Sequence, residues 1–496
     1  MIDRMPNSHR HHHHRRDLVR IAHDAMLERG LAPDFSPAVE RQLLGLTQPA
    51  HDSDPHIRDL RHLPWCSLDN DDSLDLDQLT ACEPLERHAT RIWVAIADVD
   101  ALVPRDTPID QHARTNTTSV YTSAQVYPML PTQLSNGLTS LNPDEDRLAI
   151  VTEFIVQRDA TVDHGKVYRA RVRNRAKLAY DAVSAWLDGD GPLPERVAAV
   201  AGMDEQLRLQ DAAAQRLRQR RREQGSLEFE TLQPDAVFEG DRVVDIRQQV
   251  HNRGRQLIEE FMIAVNTNTA HYLLAHGGAS LRRVVREPER WQRIVELAHR
   301  LGGSLPRQAD SRALEVFLAH QHKSDPLHFP DLSLQIVKLM GSGEYVVERA
   351  QGEPIGHFGL ALRDYTHSTA PNRRYPDLIT QRMVKAALRG ERSPYAPAEL
   401  VALAEHCTRQ EDAARKVERR LRKSEAALFL ESRIGDVFDG VVSGQNDSGI
   451  WVRTFNPPTE GKLQGHLPEL EVGQTVRVKL IDTNVERGFI DFALVH

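Results

Sequence analysis

The chain has 496 residues, 40% of them hydrophobic and 27% charged, and its 63 basic and 71 acidic side chains give a formal net charge of −8. Such a length predicts several domains, and the composition excludes a disordered or fibrous chain. No apolar run approaches the roughly 18 residues of a membrane span. The acidic balance excludes a surface that is basic throughout, though not local basic patches for nucleic acid.

At the N-terminus, "SHRHHHHRR" (8–16) reads as a tag remnant or a native basic arm, and it lacks the apolar stretch of a secretory signal. Residues 17–46 predict two helices. In the first, Leu18, Ile21, Ala22, Ala25 and Met26 recur at helical spacing and Gly30 acts as a stop. In the second, Ser36 is the N-cap and Pro37 the first helical residue. The pair reads as a packing unit, with a helix-turn-helix as the alternative. Residues 47–64 predict a linker.

Residues 65–432 predict one large α/β region, with strands at 91–99, 148–156 and 166–174 and a hairpin about Gly240. Helices are predicted at 252–275, 288–301, 309–321, 376–389 and 397–432. In the first of these, Leu257, Ile258, Phe261, Met262 and Val265 form the apolar side, while Asn252, Glu259 and Asn266 share a polar stripe. Residues 433–496 carry five short β runs divided by glycine and Asp/Asn turns, the pattern of a small barrel. The predicted architecture is therefore multidomain α+β: a helical N-terminal region (1–64), an α/β domain (65–432) and a C-terminal β-barrel (433–496). Cys66, Cys82 and Cys407 are scattered and odd in number, which points to a reducing compartment, the cytoplasm by default.

One stretch carries chemistry. "SLDNDDSLDLDQL" (67–79) holds aspartates at 69, 71, 72, 75 and 77. Charge runs are usually solvated, but Leu68, Leu74, Leu76 and Leu79 interrupt this one and predict partial burial. Buried carboxylates need partners, and a hard cation suits clustered oxygens. A calcium loop fits poorly: with Asp69 as first ligand, Leu74 stands where the turn needs glycine and Thr80 where a bidentate glutamate is needed. Cysteine is too sparse for structural zinc. Mg²⁺ remains, with Mn²⁺ as the alternative, held by a few carboxylates and substrate oxygens.

The acidic stretch resembles the motif of the RNB family, the exoribonucleases of the RNase II and RNase R type. Further matches follow in order: "WVAIADVDALVPRDTPIDQHARTNTTSVY" (93–121), "YPMLPTQLSNGLTSLNPDEDRLAIV" (127–151) and "HFGLALRDYTHSTAPNRRYPDLITQRMV" (357–384). The terminal barrel resembles the ribosomal-protein S-one type of OB domain. The resemblance implies metal-assisted 3′→5′ hydrolysis of single-stranded RNA to 5′-nucleoside monophosphates, in RNA turnover, by a monomer with no small organic cofactor and no membrane association.

By that resemblance Asp69, Asp75 and Asp77 hold the metal, and Asp77 also orients the attacking water. Gln78 stands where the common motif has a fourth aspartate; its neutral oxygen can still ligate, but one negative charge is lost. That departure supports the alternative of a catalytically weakened RNA-binding relative. Arg373 matches the active-site arginine, which grips phosphate oxygens. Arg374 beside it contacts backbone or forms a structural ion pair. Tyr121 and Phe229 match aromatics that pack on bases, and Tyr180 a residue near ribose. Glu259 or Glu260 matches a glutamate contacting the ribose 2′-hydroxyl. Glu425 falls near an active-site glutamate, with a solvated helix position as the alternative. The basic stretch 212–226 and the barrel residues Arg453, Arg477 and Lys479 are candidate phosphate contacts. The family's two leading cold-shock barrels have no counterpart in the residues before Trp65, so a different clamp is expected at the RNA mouth.

Overall fold

The computed structural model describes residues 14–230, 234–248, 251–276, 278–349, 352–446, 448–465 and 467–495; most of the histidine-rich tract lies outside them. Its centre is a seven-stranded sheet. From one edge the order is Arg58–Asp59, Val162–Arg173, Asp146–Val156, Thr90–Ala97, Gln78–Pro84, Cys66–Asp69 and Ala176–Ala179. The two edge strands pair parallel and the inner ladders are antiparallel.

Alternation along the inner strands divides their side chains between two cores. Leu79, Ala81, Trp93, Ala95 and Ala97 face a core completed by helix Tyr375–Leu388 and the first turns of helix Pro397–Leu430. Leu68, Cys82, Ile92, Val94 and Ile96 face the other, completed by helices Tyr180–Asp188, Met203–Glu223 and Arg253–Ala275. Thr80 and Cys82 on this second face also bond Gln210 and Gln206 of helix Met203–Glu223. Helices Trp291–Arg300, Ser311–Ser324 and Phe329–Met340 form a smaller core of their own.

The N-terminal helix Arg15–Glu28 buries Leu18, Ile21, Ala22, Ala25 and Met26, the residues its periodicity singles out. These pack with Ala414, Val417 and Leu421 of helix Pro397–Leu430. Fully burying a large aliphatic side chain contributes about 1.5–3 kcal/mol, which fixes this helix to the body. The second helix, Pro37–Leu44, starts as expected, with Ser36 Oγ accepting from Val39 N. Its Gln42 accepts from Ile109 N of helix Pro108–Asn116. Both helices are packing elements.

The C-terminal strands Val437–Asn446, Gly449–Thr454, Glu460–Gln464, Thr475–Asn484 and Phe489–Leu494 form a closed barrel, as their turn spacing predicts. Arg453 tethers it to the body: its Nε and Nη2 donate to the two oxygens of Asp331 at 2.9 and 2.7 Å, with both side chains largely buried. Arg453 is thus a structural link, not an open phosphate contact. Among the described residues no helix is long and apolar enough to cross a membrane.

Candidate active site

The acidic stretch is the connection between strands Cys66–Asp69 and Gln78–Pro84. Leu68, Leu76 and Leu79 are buried and anchor it. Leu74 is 57% exposed, contrary to expectation, because it sits at the crest of the loop beside exposed Asp71 and Asp72. Asp69 closes the loop locally, its Oδ1 accepting from Asn70 N at 2.7 Å and Ser73 Oγ at 2.9 Å.

Asp77 is 2% exposed. Its Oδ1 accepts from Asn372 N at 3.0 Å. Its Oδ2 has no hydrogen-bond partner among the described residues and lies 3.6 Å from Arg373 Nε. Burial pushes the carboxyl up to about 7; Arg373 opposes the shift and Asp75 adds to it. The Asp75 carboxyl is also raised, first by burial, and its Oδ2 accepts from the Tyr121 hydroxyl at 3.3 Å.

Three backbone contacts bring Tyr121 and Arg373 to this acid. Ser119 N donates to Arg373 O at 3.0 Å, Tyr375 N donates to Thr117 O at 2.8 Å, and Thr118 bridges Arg374. The turn ahead of helix Tyr375–Leu388 is thereby clipped to the segment that ends in Tyr121. Arg373 is 45% exposed, and its guanidinium makes no hydrogen bond to any described residue. A buried acid and an unsaturated guanidinium thus border the same space.

Tyr180 begins helix Tyr180–Asp188, and the Arg255 guanidinium lies over its ring, 4.7 Å from the centroid. Arg255 also donates to Asn70 Oδ1, so it ties helix Arg253–Ala275 to the acidic loop. Asp69 pairs across the parallel ladder with Ala179, the residue before Tyr180, and burial raises the Tyr180 hydroxyl, with Asp69 adding to the rise. Arg255 escapes sequence reading because nothing in its own neighbourhood separates it from a solvated helix arginine.

The two glutamates of this helix separate cleanly. Glu260 is buried and forked to Arg221, at 2.8 and 2.5 Å. Glu259 is 46% exposed, 3.5 Å from His251 and 4.0 Å from Arg221. Only Glu259 has a carboxylate open to a ligand. It shares its helical stripe with Asn266, which bonds the Tyr365 hydroxyl and Ser368 just upstream of Arg373.

Several expected site residues stand back from this space. Arg374 donates to buried Asp377 Oδ1 at 2.7 Å, so of its two readings the structural ion pair holds. Gln78 pairs across the ladder with Ile96, whose side chain faces the second core, whereas Asp77 lies on the face of Arg373. Alternation therefore turns Gln78 away from Asp77. Glu425 is 2% exposed, not solvated; it accepts from Ser123 N and Oγ at 3.2 and 3.1 Å, and burial pushes it up to about 7. It braces the turn after Tyr121. Glu418, one stripe along the same helix, accepts from Tyr121 N at 3.1 Å and was not singled out by the sequence. Phe229 is half-buried against the core of the three smaller helices. The basic stretch before it is largely neutralised: Arg218 pairs with Glu228, Arg221 with Glu260 and Arg222 with Glu315.

Among the described residues no three His, Cys, Asp or Glu side chains converge as a ready-made metal cage. What the site does hold is a buried, partnerless carboxylate oxygen on Asp77 and a second raised carboxyl on Asp75. That donor set fits a hard cation that takes only a few protein oxygens and fills its shell with water and phosphate.

Residues 57–390 match the RNB domain, and residues 436–495 match the RNase II-type exonuclease C-terminal S1 domain. The chain belongs to the RNB family. Ribonuclease R of Escherichia coli (strain K12) is 31% identical over 92% of the chain, and that of Vibrio cholerae 32% identical over 93%. The aligned region makes up 60% of each of those relatives. In fold, this RNB protein is similar to Mycoplasma genitalium RNase R in complex with ribose methylated single-stranded RNA, with a TM-score of 0.86, 23% identity, and coverage of 97% of this chain and 78% of that one. The motifs quoted from the sequence, from the acidic stretch to "APNRRYPD", all lie inside the matched RNB region.

Proposed function

We propose that the chain is a 3′→5′ exoribonuclease that hydrolyses single-stranded RNA to 5′-nucleoside monophosphates, acting as a cytoplasmic monomer in RNA turnover. The observation that carries this reading is the Asp77 carboxylate: buried, orphaned at one oxygen and faced by a half-free arginine. Asp69, Asp75 and Asp77 would hold a Mg²⁺ ion, or Mn²⁺ in its place. When bound, that ion supplies charge neutralisation on the phosphate and a water of lowered pKa.

The chain's own groups do the rest. Asp77, once ionised, accepts a proton from the attacking water. Arg373 contributes two parallel N–H donors to the phosphate oxygens on which charge grows. Tyr121 and Tyr180 flank the terminal nucleotide, with Phe229 stacking further out, a sequence-tolerant contact of about 1–3 kcal/mol per base. Glu259 accepts from the ribose 2′-hydroxyl, which distinguishes RNA from DNA. Residues 65–432 form the catalytic domain and 433–496 the RNA-capturing barrel.

The test is degradation of 5′-end-labelled RNA with and without chelator, beside a 2′-deoxy oligomer of the same sequence. The expected result is stepwise shortening from the 3′ end, abolished by chelator and slower on DNA. Intact RNA across Mg²⁺ and Mn²⁺ concentrations would favour the weakened RNA-binding alternative, and equal loss of DNA would remove the sugar specificity.

A further inference from the structure

An open cleft of about 430 Å³ lies where the N-terminal helix, the long helix Pro397–Leu430 and the barrel meet. Its walls are Arg29, Lys416, Arg419, Arg420, Lys423 and Arg487, with one aromatic, Phe489. Lys416 and Arg420 are paired with Asp412 and Glu28. Arg29, Arg419, Lys423 and Arg487 have no ion pair among the described residues. Six cations around one cleft stand out in a chain of net charge −8. Like charges gathered this closely repel unless an anion joins them.

The cleft is a built feature. The barrel turn containing Arg487 is pressed onto the long helix: a Cβ at Gly488 would lie 2.7 Å from Lys423 Cβ and 3.0 Å from Ser424 N, so only glycine fits there. Arg487 N donates to Asn484 Oδ1 at 2.9 Å, which fixes the turn. Phe489 is 56% exposed at the start of the last barrel strand. On the long helix, Lys416, Arg419 and Lys423 lie on the side opposite Glu418 and Glu425, which face the Tyr121 segment. The cleft therefore does not belong to the candidate active site.

We propose that this cleft is a second RNA-binding site, which holds a single-stranded segment of the substrate outside the catalytic chamber. Free guanidinium and ammonium groups bind its phosphates while Phe489 stacks an unpaired base, the pairing of contacts typical of non-sequence-specific single-strand binding. This inference rests on the reading that RNA is the substrate. It assigns the cleft to affinity for long RNA, leaving hydrolysis to the acids.

The test uses the full chain in an Asp77→Asn background, so that bound RNA stays intact. Binding of 5′-fluorescein oligouridylates of about 30 and about 6 nucleotides is followed by anisotropy, the short one being too small to span both sites. The Arg419→Ala/Lys423→Ala/Arg487→Ala variant is expected to weaken binding of the long RNA at least about tenfold, and to reduce the slope of log affinity against log salt by about 2. Phe489→Ala is expected to weaken it about tenfold and Phe489→Trp to restore it. Binding of the short RNA should change less than twofold, and unchanged thermal melting reports that the exposed substitutions leave the fold intact. Unchanged affinity for the long RNA in the triple variant overturns the proposal. So does a loss confined to the charge variants with Phe489→Ala silent, which would mark a surface for any polyanion. Should the parent chain bind long RNA through the cleft yet degrade none, the second site stands and the exonuclease reading fails.

Discussion

Replacing Asp77 by asparagine should stabilise the metal-free protein at neutral pH while abolishing most turnover. The carboxyl moves from 3.8 to about 7 on folding, because burial penalises the charged form. Between roughly pH 4 and 7 the folded chain keeps a proton that the unfolded chain has released, so the stability this group contributes is present below pH 4 and is lost as pH rises through 7. Above that window the cost is on the order of 4 kcal/mol. Asparagine is neutral throughout and retains an oxygen to accept from Asn372 N, whose bond to Asp77 measures 3.0 Å. In chelator, the variant and the parent should therefore melt together near pH 4 and diverge by several degrees near pH 8, with the variant higher. Adding Mg²⁺ should then raise the parent more than the variant, by about 2.7 kcal/mol at a hundredfold excess over Kd. A variant less stable than the parent at pH 8 in chelator would refute the reasoning, since it would mean that the folded protein already satisfies the ionised acid.

Arg373→Lys should lower kcat about a hundredfold with little change in KM, because an ammonium cannot reproduce the two parallel donors; single-turnover rates on labelled RNA report it. For Gln78→Asp, the Mg²⁺ concentration for half-activity should stay within about twofold, since alternation turns the side chain from Asp77; a tenfold fall would show that it reaches the ion. Arg453→Ala should leave Asp331 buried and unpaired, at a cost of about 3 kcal/mol. Hydrogen exchange should show it as faster opening along Gly449–Thr454, and unaltered exchange there would remove Arg453 as a tether.

The elements with a clean period were legible. Five buried positions of the N-terminal helix, the hairpin about Gly240 and the five barrel strands all follow from spacing and turn residues. Strand Gln78–Pro84 was hidden because it is buried on both faces and follows an acidic loop, so it shows no alternation. Helix Phe329–Met340 gives no capping signal in the sequence, His328 holding the N-cap position without a capping bond. At the site, the acids and Arg373 could be read because the motifs are local. The fates of Arg221, Arg374, Arg453 and Glu260 could not, because each depends on one specific partner, and that partner is usually far along the chain. A run of arginines looks alike in sequence whether it faces phosphate or is spent on internal acids.

The clip between residues 117–119 and 373–375 has a consequence for biosynthesis. Asp77 emerges early from the ribosome, Arg373 some three hundred positions later, and the bracing Glu418 and Glu425 later still. Until Arg373 is translated and docked no guanidinium faces the acid, and until Glu418 and Glu425 follow the Tyr121 segment lacks two of its braces. The candidate site is thus incomplete until the long helix Pro397–Leu430 has been translated and docked.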